Sequence, residues 1–266
     1  MNRIKYFFVA FAIFVTFSCD TVPLTGRKQL TLLPDSQVNT MALTQYHQFL
    51  SSNKVEPATN ASSERVRNVG TRLATAITQY LNSKGLGSRV ADYKWEFNLV
   101  ESKEINAWCM PGGKVVVYSA ILPLCQDDAG LATVMGHEIG HAIARHGNER
   151  MSQQMIAQGL QAVGDVAIMN RNPQYVGAFN TAFGLGTTLG VTLPHSRTQE
   201  SEADHLGLIF MAMAGYDPNS ALGFWERMAA LSKGSKSAFF SDHPSDQKRI
   251  DDIKRLMPEA LSYYKR

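Results

Sequence analysis

The chain has 266 residues, 44% of them apolar and 18% charged, with no low-complexity run, which suits one sizeable core or two small ones and excludes a disordered or fibrous protein. Its 26 basic and 23 acidic residues leave a formal charge of only +3, and no basic cluster with interleaved aromatics points to nucleic acid. No internal period of 20–50 residues is visible, so a helical-repeat array is excluded.

The N-terminus stands apart. Arg3 and Lys5 form a basic start, residues 6–17 are an apolar run, and Ser18-Cys19 ends it. The run is too short to span a bilayer comfortably and reads as the apolar region of a signal peptide. The small residue before Cys19 resembles the lipobox of bacterial lipoproteins, whose cysteine becomes the lipidated N-terminus. Thr16 stands where that pattern usually has Leu, and Phe17 is bulky, so an ordinary cleaved signal or a short anchor stays open. The expected organisation is a signal peptide over 1–18, a lipidated N-terminus and tether over 19–34, and a single domain over 35–266. Losing 1–18 removes Arg3 and Lys5 and leaves the mature chain near neutrality. Cys109 and Cys125 then remain, either paired in an oxidising envelope or left as two buried thiols.

A first helix is expected over 35–50, with Asp35 or Ser36 as its cap, and Pro57 marks the loop that follows. Val66, Val69, Leu73, Ile77 and Leu81 recur at helical spacing and predict a second helix over 63–81. Tyr93, Trp95, Phe97 and Leu99 alternate with polar residues. Residues 105–110 and 114–118 flank a Pro111-Gly112-Gly113 turn, which together predicts a small antiparallel sheet of about three strands. A buried amphipathic helix follows over 128–145, capped by Asp127 or Asp128 and ended by Gly147. Residues 149–195 are Met-, Gln- and Gly-rich and their helical pattern is weaker. Within them, 176–193 carries no charge but too many Thr and Gly to insert well into a membrane, and reads as a buried or mobile helix near the site, with membrane dipping as the alternative. Further helices are expected over 197–214, 218–231 and 245–264, the last broken near Pro258. The fold class is α+β, mainly α.

The chemistry is concentrated in His137-Glu138-Ile139-Gly140-His141. Positions i and i+4 share one helix face, so the two imidazoles converge on one metal ion, and Glu138 is placed to act as a base on metal-activated water. A buried pair of imidazoles beside a carboxylate is costly to desolvate without a compensating cation. A catalytic zinc needs a third protein ligand, and Glu200-Ser201-Glu202-Ala203-Asp204 supplies a candidate. Glu200 and Asp204 share a face, with Glu200 able to complete the site and Asp204 able to accept the free ring N–H of a ligand histidine. Glu202, two positions from Glu200, is expected to face away from the metal. Alone, this acidic run also fits a solvated helix face.

The pairing of that histidine motif with the downstream Glu-x-x-Ala-Asp pattern resembles the gluzincin peptidase family of HtpX, BepA, the CAAX prenyl endopeptidase and the mitochondrial Oma protease. The stretch 106–114 is similar to the family's substrate-side strand and turn, Ser196-Arg197 to its lead-in, and His243-Pro244 to its short C-terminal loop. The resemblance covers roughly residues 30–255 and implies a zincin-like metallopeptidase with one zinc per chain. It implies His137, His141 and Glu200 as ligands, Glu138 as base and Asp204 as the carboxylate behind a ligand. It also implies substrate contacts from Asn106, Ala107 and Trp108, with a structural turn role as the alternative for Asn106, and His243 as an extra ligand that keeps the enzyme latent, against an ordinary loop histidine. The chain has no room for a C-terminal repeat domain and no clear multiple membrane spans, so it most resembles the small lipoprotein members.

The expected function is therefore a zinc-dependent endopeptidase of the bacterial cell envelope, anchored by a lipid on Cys19 and facing the periplasm. Its substrates would be unfolded or misassembled envelope proteins, bound extended along the 105–110 edge. His195, His146, Arg197 and Arg145 are candidates for stabilising the transition state; His47 and His205 lack a partner motif. Two other readings stay open: a latent zinc-domain chaperone with little proteolysis, and a zinc hydrolase of cell-wall material.

Overall fold

Residues 19–34 do not hang free as the expected tether. Strands β1 (Cys19–Thr21) and β2 (Lys28–Leu30) pair antiparallel, and the hairpin is stitched to the body by Gln29 Nε2 to the Ala144 carbonyl at 2.7 Å and Asn148 Nδ2 to the Leu33 carbonyl at 2.9 Å. Val22 is fully buried beneath it. The structure is a computed structural model, and it describes residues 19–160, 165–183, 195–232, 239–240, 243 and 247–265. The signal segment 1–18 and residues 184–193 of the uncharged stretch lie outside the described residues.

Helix α1 (Asp35–Ser52) begins one residue before either expected cap takes effect: Pro34 occupies the N-cap without a side-chain bond, and the Asp35 carboxylate pairs instead with Arg145. Helix α2 (Ala61–Ser83) buries Val66, Val69, Leu73, Ile77 and Leu81, the predicted stripe, and is capped by Asn60, whose side chain accepts from Ser62 N at 2.8 Å.

The sheet has β3 (Glu96–Val100), β4 (Ala107–Met110) and β5 (Lys114–Tyr118) in the order β3-β5-β4. It is mixed, not wholly antiparallel as expected: β4 and β5 form the predicted hairpin, whereas β3 runs parallel to β5 with Phe97 opposite Val115. Ala107, Cys109, Val115 and Val117 face one core, while Trp108, Met110, Val116 and Tyr118 face a second, so both strands of the hairpin are buried on both faces. Alternation of polar and apolar residues marks β3 as a strand but fixes neither its neighbour nor its direction. Only β3, half exposed, shows the alternation of a one-sided strand. The hairpin turn needs Gly112 and Gly113 at φ +82° and +79°, and a Cβ on Gly113 would lie 2.9 Å from the Trp95 ring.

After the short α3 (Leu122–Cys125), α4 (Asp128–Ile143) carries the histidine motif and is capped by Asp127, which accepts from Gly130 N at 2.8 Å. Gly147 does not end it. Arg145 adopts the left-handed conformation (φ 62°), and α5 (His146–Ala157) starts at once with Gly147 inside its first turn. That glycine is small because Phe183 lies where its Cβ would be. Helices α6 (Val166–Arg171) and α7 (Pro173–Ala182) cover the second core; α7 buries Tyr175, Ala178, Phe179 and Ala182.

Helix α8 (Arg197–Met213) opens with a capping box between Ser196 and Gln199 and ends at Gly215 (φ +80°). It crosses α4 with almost no gap: a Cβ on Gly207 would come within 2.9 Å of His137 N, and one on Gly140 within 2.9 Å of the Ala203 carbonyl. Helix α9 (Ser220–Ser232) follows, and α10 (Gln247–Tyr263) runs unbroken through Pro258. Pro258 sits on the exposed face, where the carbonyl it leaves unbonded meets water, so no break results. Cys109 and Cys125 are both free and buried. Among the described residues no helix is long and apolar enough to cross a membrane.

Candidate metal centre

The α4–α8 crossing determines the site. His137 and His141 stand one turn apart on α4, and the glycine contacts bring α8 close enough for Glu200 to reach both. His137 Nε2 lies 3.1 Å from His141 Nε2 and 3.5 Å from Glu200 Oε2, and His141 Nε2 lies 3.2 Å from Glu200 Oε1. His243 joins them, with Nδ1 at 3.2 Å from His137 Nε2 and 3.0 Å from Glu200 Oε1. All four side chains are buried.

These spacings test the donor set. Ligands about 2.0–2.1 Å from a tetrahedral zinc are about 3.3–3.4 Å from one another, close to the values observed. The outer nitrogens of the two α4 histidines are already engaged: His137 Nδ1 is 2.8 Å from Asp204 Oδ1, and His141 Nδ1 is 2.8 Å from His146 Nδ1. With the ring protons on Nδ1, both Nε2 lone pairs turn towards a carboxylate oxygen in a buried space. That is a donor set a bound cation would complete, and the residues fit zinc.

The surrounding charges agree with that order. Burial pushes the Glu200 carboxyl up, but His243, Arg249 and His137 outweigh it and hold it well below the usual range. Burial holds His141 well below an ordinary histidine. For His137, burial and Arg249 act downward, yet Asp204 and Glu200 prevail and raise it. Arg249 spans both acids, with Nη1 at 2.9 Å from Glu200 Oε2 and Nη2 at 2.7 Å from Asp204 Oδ1. Its guanidinium carbon lies 3.4 Å from the Trp225 ring centre.

Glu138 lines a cleft of about 120 Å³ that also borders His141, His195 and His243. One wall is β4, an outer strand of the sheet, with Asn106, Ala107 and Trp108 along it. Asn106 serves a local turn, its Oδ1 accepting from Ala107 N at 2.9 Å, and the Trp108 ring packs edge-on against Tyr46 and Phe49. Of the four candidate transition-state donors, His195 is over the site, its ring 3.8 Å from that of His141. Arg145 is tied to Asp20 and Asp35, His146 stands behind His141, and Arg197 borders a second groove on the far side of His195, along Glu200 and Asp204. His47 is exposed, and His205 pairs with Glu259 at 2.8 Å.

Glu202 faces away from the donor set, as its spacing from Glu200 predicted, and meets His146 Nε2 at 3.0 Å. Its partner Arg27 carried no readable signal: this hairpin residue grips Glu202 and Glu149 together. The role of Arg249 was marked in sequence only by its place after the His243-Pro244 pair.

Residues 60–257 match the model of Peptidase family M48. The chain is 39% identical over 175 residues to the mitochondrial metalloendopeptidase OMA1 of Schizosaccharomyces pombe, covering 65% of the chain and 50% of that protein. It is 31% identical over 219 residues to the protein of that name from Saccharomyces cerevisiae, covering 79% and 60%. With the beta-barrel assembly-enhancing protease of Escherichia coli it shares 30% identity over 189 residues, covering 67% and 38%. The chain thus spans between 38% and 60% of the length of these relatives.

Proposed function

The chain belongs to peptidase family M48, and from that premise we propose that it is a zinc-dependent endopeptidase in which His137, His141 and Glu200 hold the metal and Glu138 is the general base. The observation that carries this reading is the convergence of Nε2 of both α4 histidines and the Glu200 carboxylate, 3.1–3.5 Å apart, beside a cleft that Glu138 borders. A bound zinc supplies Lewis acidity at the scissile carbonyl and lowers the pKa of the attacking water. Glu138 receives that water's proton and passes it to the leaving amine. Asp204 accepts from His137 Nδ1, which keeps the Nε2 lone pair turned inward. The peptide lies extended along β4, bonded through its backbone, so that affinity comes with little sequence preference.

His243 is the fourth donor and rests over the position a substrate needs, which makes the enzyme latent until that side chain swings away. The same contact favours a second reading, in which the closed domain mainly captures unfolded proteins and seldom cuts. The setting is the cell envelope, with a lipid on Cys19 as anchor and unfolded or misassembled envelope proteins as substrates. The apolar run 6–17 followed by Ser18-Cys19 supports this, as does the likeness to the beta-barrel assembly-enhancing protease of Escherichia coli.

Glu138→Gln separates the enzyme from the capture domain. Cleavage of an unfolded casein falls about 10²- to 10⁴-fold while zinc stays bound, as expected for loss of a general base. Degradation at the wild-type rate sinks the hydrolytic assignment.

A further inference from the structure

His137 receives its carboxylate directly, from Asp204. His141 does not. Behind it stands a second histidine, and behind that a carboxylate on the same α8 helix that supplies Glu200. We propose that His146 and Glu202, clamped by Arg27 of the N-terminal hairpin, form a positioning relay that fixes the tautomer and orientation of the metal ligand His141. The inference rests on the metallopeptidase reading above.

The geometry allows only one proton order. With His141 Nε2 committed to the metal, its proton sits on Nδ1 and is donated to His146 Nδ1, 2.8 Å away. His146 must then carry its own proton on Nε2, which faces Glu202 Oε2 at 3.0 Å. A carboxylate at the end accepts that proton's bond and has none to return, so the alternation cannot reverse. His146 is wholly inaccessible to solvent, so no water competes for either nitrogen.

Glu202 is in turn fixed. Arg27 Nε lies 2.8 and 3.0 Å from its two oxygens and Thr25 Oγ1 donates to Oε1 at 2.9 Å. The remaining guanidinium nitrogens of Arg27 reach Glu149 at 2.7 and 2.8 Å, and Gln199 Nε2 closes the ring to Glu149 at 2.8 Å. One hairpin arginine thereby bridges two buried acids around the relay.

The backbone makes room for it. On an unbroken helix, a residue five positions after His141 would point about 140° away. The left-handed Arg145, anchored by Asp20 and Asp35, ends α4 and folds His146 back until its ring is 4.9 Å from that of His141. Residues 19–35 thus build the relay twice over, through Arg27 and through Arg145.

The test uses zinc affinity, by competition with a chelator, and the nitrogen-15 shifts of the histidine rings. In the zinc-loaded wild type the relay requires His141 protonated at Nδ1 and His146 protonated at Nε2. Glu202→Gln and His146→Gln each weaken zinc binding by about 10- to 100-fold, the usual effect of losing such a partner. The double variant stays within about two-fold of the weaker single one, because both cut the same chain. Arg27→Gln weakens binding in the same direction by less. A His146 ring protonated at Nδ1 in the wild type overturns the relay, even if the variants fail to fold. Affinities for both single variants that match the wild type, or penalties that multiply, overturn it as well. If Glu200→Gln also leaves zinc affinity unchanged, the metal assignment fails rather than the relay.

Discussion

His243 Nδ1 sits 3.0 Å from Glu200 Oε1, so a side chain from the C-terminal part of the chain shares a corner of the donor set with the α8 carboxylate. A fourth protein donor blocks the position that hydrolysis needs open. A closed state favoured by only about 1.4 kcal/mol keeps about nine-tenths of the enzyme shut, so His243→Ala raises the rate of casein cleavage about tenfold. Zinc affinity is expected to fall in the same variant, as the proposed ligand role of His243 requires. A cleavage rate at or below the wild type, measured with zinc saturating, rules out the latent state.

Arg249 is buried between Glu200 and Asp204, and its removal leaves two acids without their cation. Breaking a buried ion cluster by deleting one partner costs about 3–5 kcal/mol. Zinc held as proposed would compensate Glu200 directly and Asp204 through the His137 ring. Arg249→Gln is therefore expected to lower the thermal midpoint of the metal-free protein more than that of the zinc-loaded protein. Equal drops in both would show that Arg249 acts through its stacking on Trp225 and not through charge.

Two helical glycines should respond in opposite directions. Gly207 faces the backbone of α4 so closely that a Cβ would lie 2.9 Å from His137 N. Gly207→Ala forces the helices apart, costs about 1–3 kcal/mol despite the better helix propensity, and moves Glu200 off the histidines. Gly177, on the exposed side of α7, has nothing within 4 Å of the corresponding position. Gly177→Ala is expected to stabilise by about 0.4–1 kcal/mol. Chemical denaturation of both variants checks the pair; stabilisation by both would refute the tight crossing.

The parts of this site that sequence displays are those held by one helix. His137 with His141, and Glu200 with Asp204, are four residues apart, and that spacing alone puts each pair on one face. The α2 stripe was readable for the same reason. What stayed hidden depends on other elements. The β3-β5-β4 order stayed hidden because β4 and β5 are alike buried on both faces, and the alternation in β3 does not fix its neighbour or direction. Cys109 and Cys125 gave no indication in sequence of whether they pair, because their separation in space is settled by the sheet and α3. His146 reaches His141 only because Arg145 is left-handed, and Arg145 is held by Asp20 and Asp35, 125 and 110 positions away. No local pattern encodes that. The hairpin over 19–30 resembled a tether because its strands are short and its anchoring groups, Arg27 and Gln29, are polar.

Glu149 links the hairpin's contribution to pH. Burial pushes its carboxyl up, but hydrogen bonds from Arg27 and Gln199 and the Arg27 charge outweigh this and hold it below the ordinary value of 4.5. A carboxylate whose folded pKa is depressed stabilises the fold at pH values above its unfolded pKa, and that stability is lost as the pH falls through the folded value. Glu149→Gln lacks this component. The metal-free wild type should therefore unfold at a higher temperature than the variant by a constant margin above about pH 5. Below pH 4.5 the margin should shrink and close as Glu149 takes up its proton. The metal-free form is the one to measure, because metal binding is itself pH-dependent wherever ligands must be deprotonated. A margin that stays unchanged down to acid pH would mean that the Arg27 contact to Glu149 contributes packing but no charge.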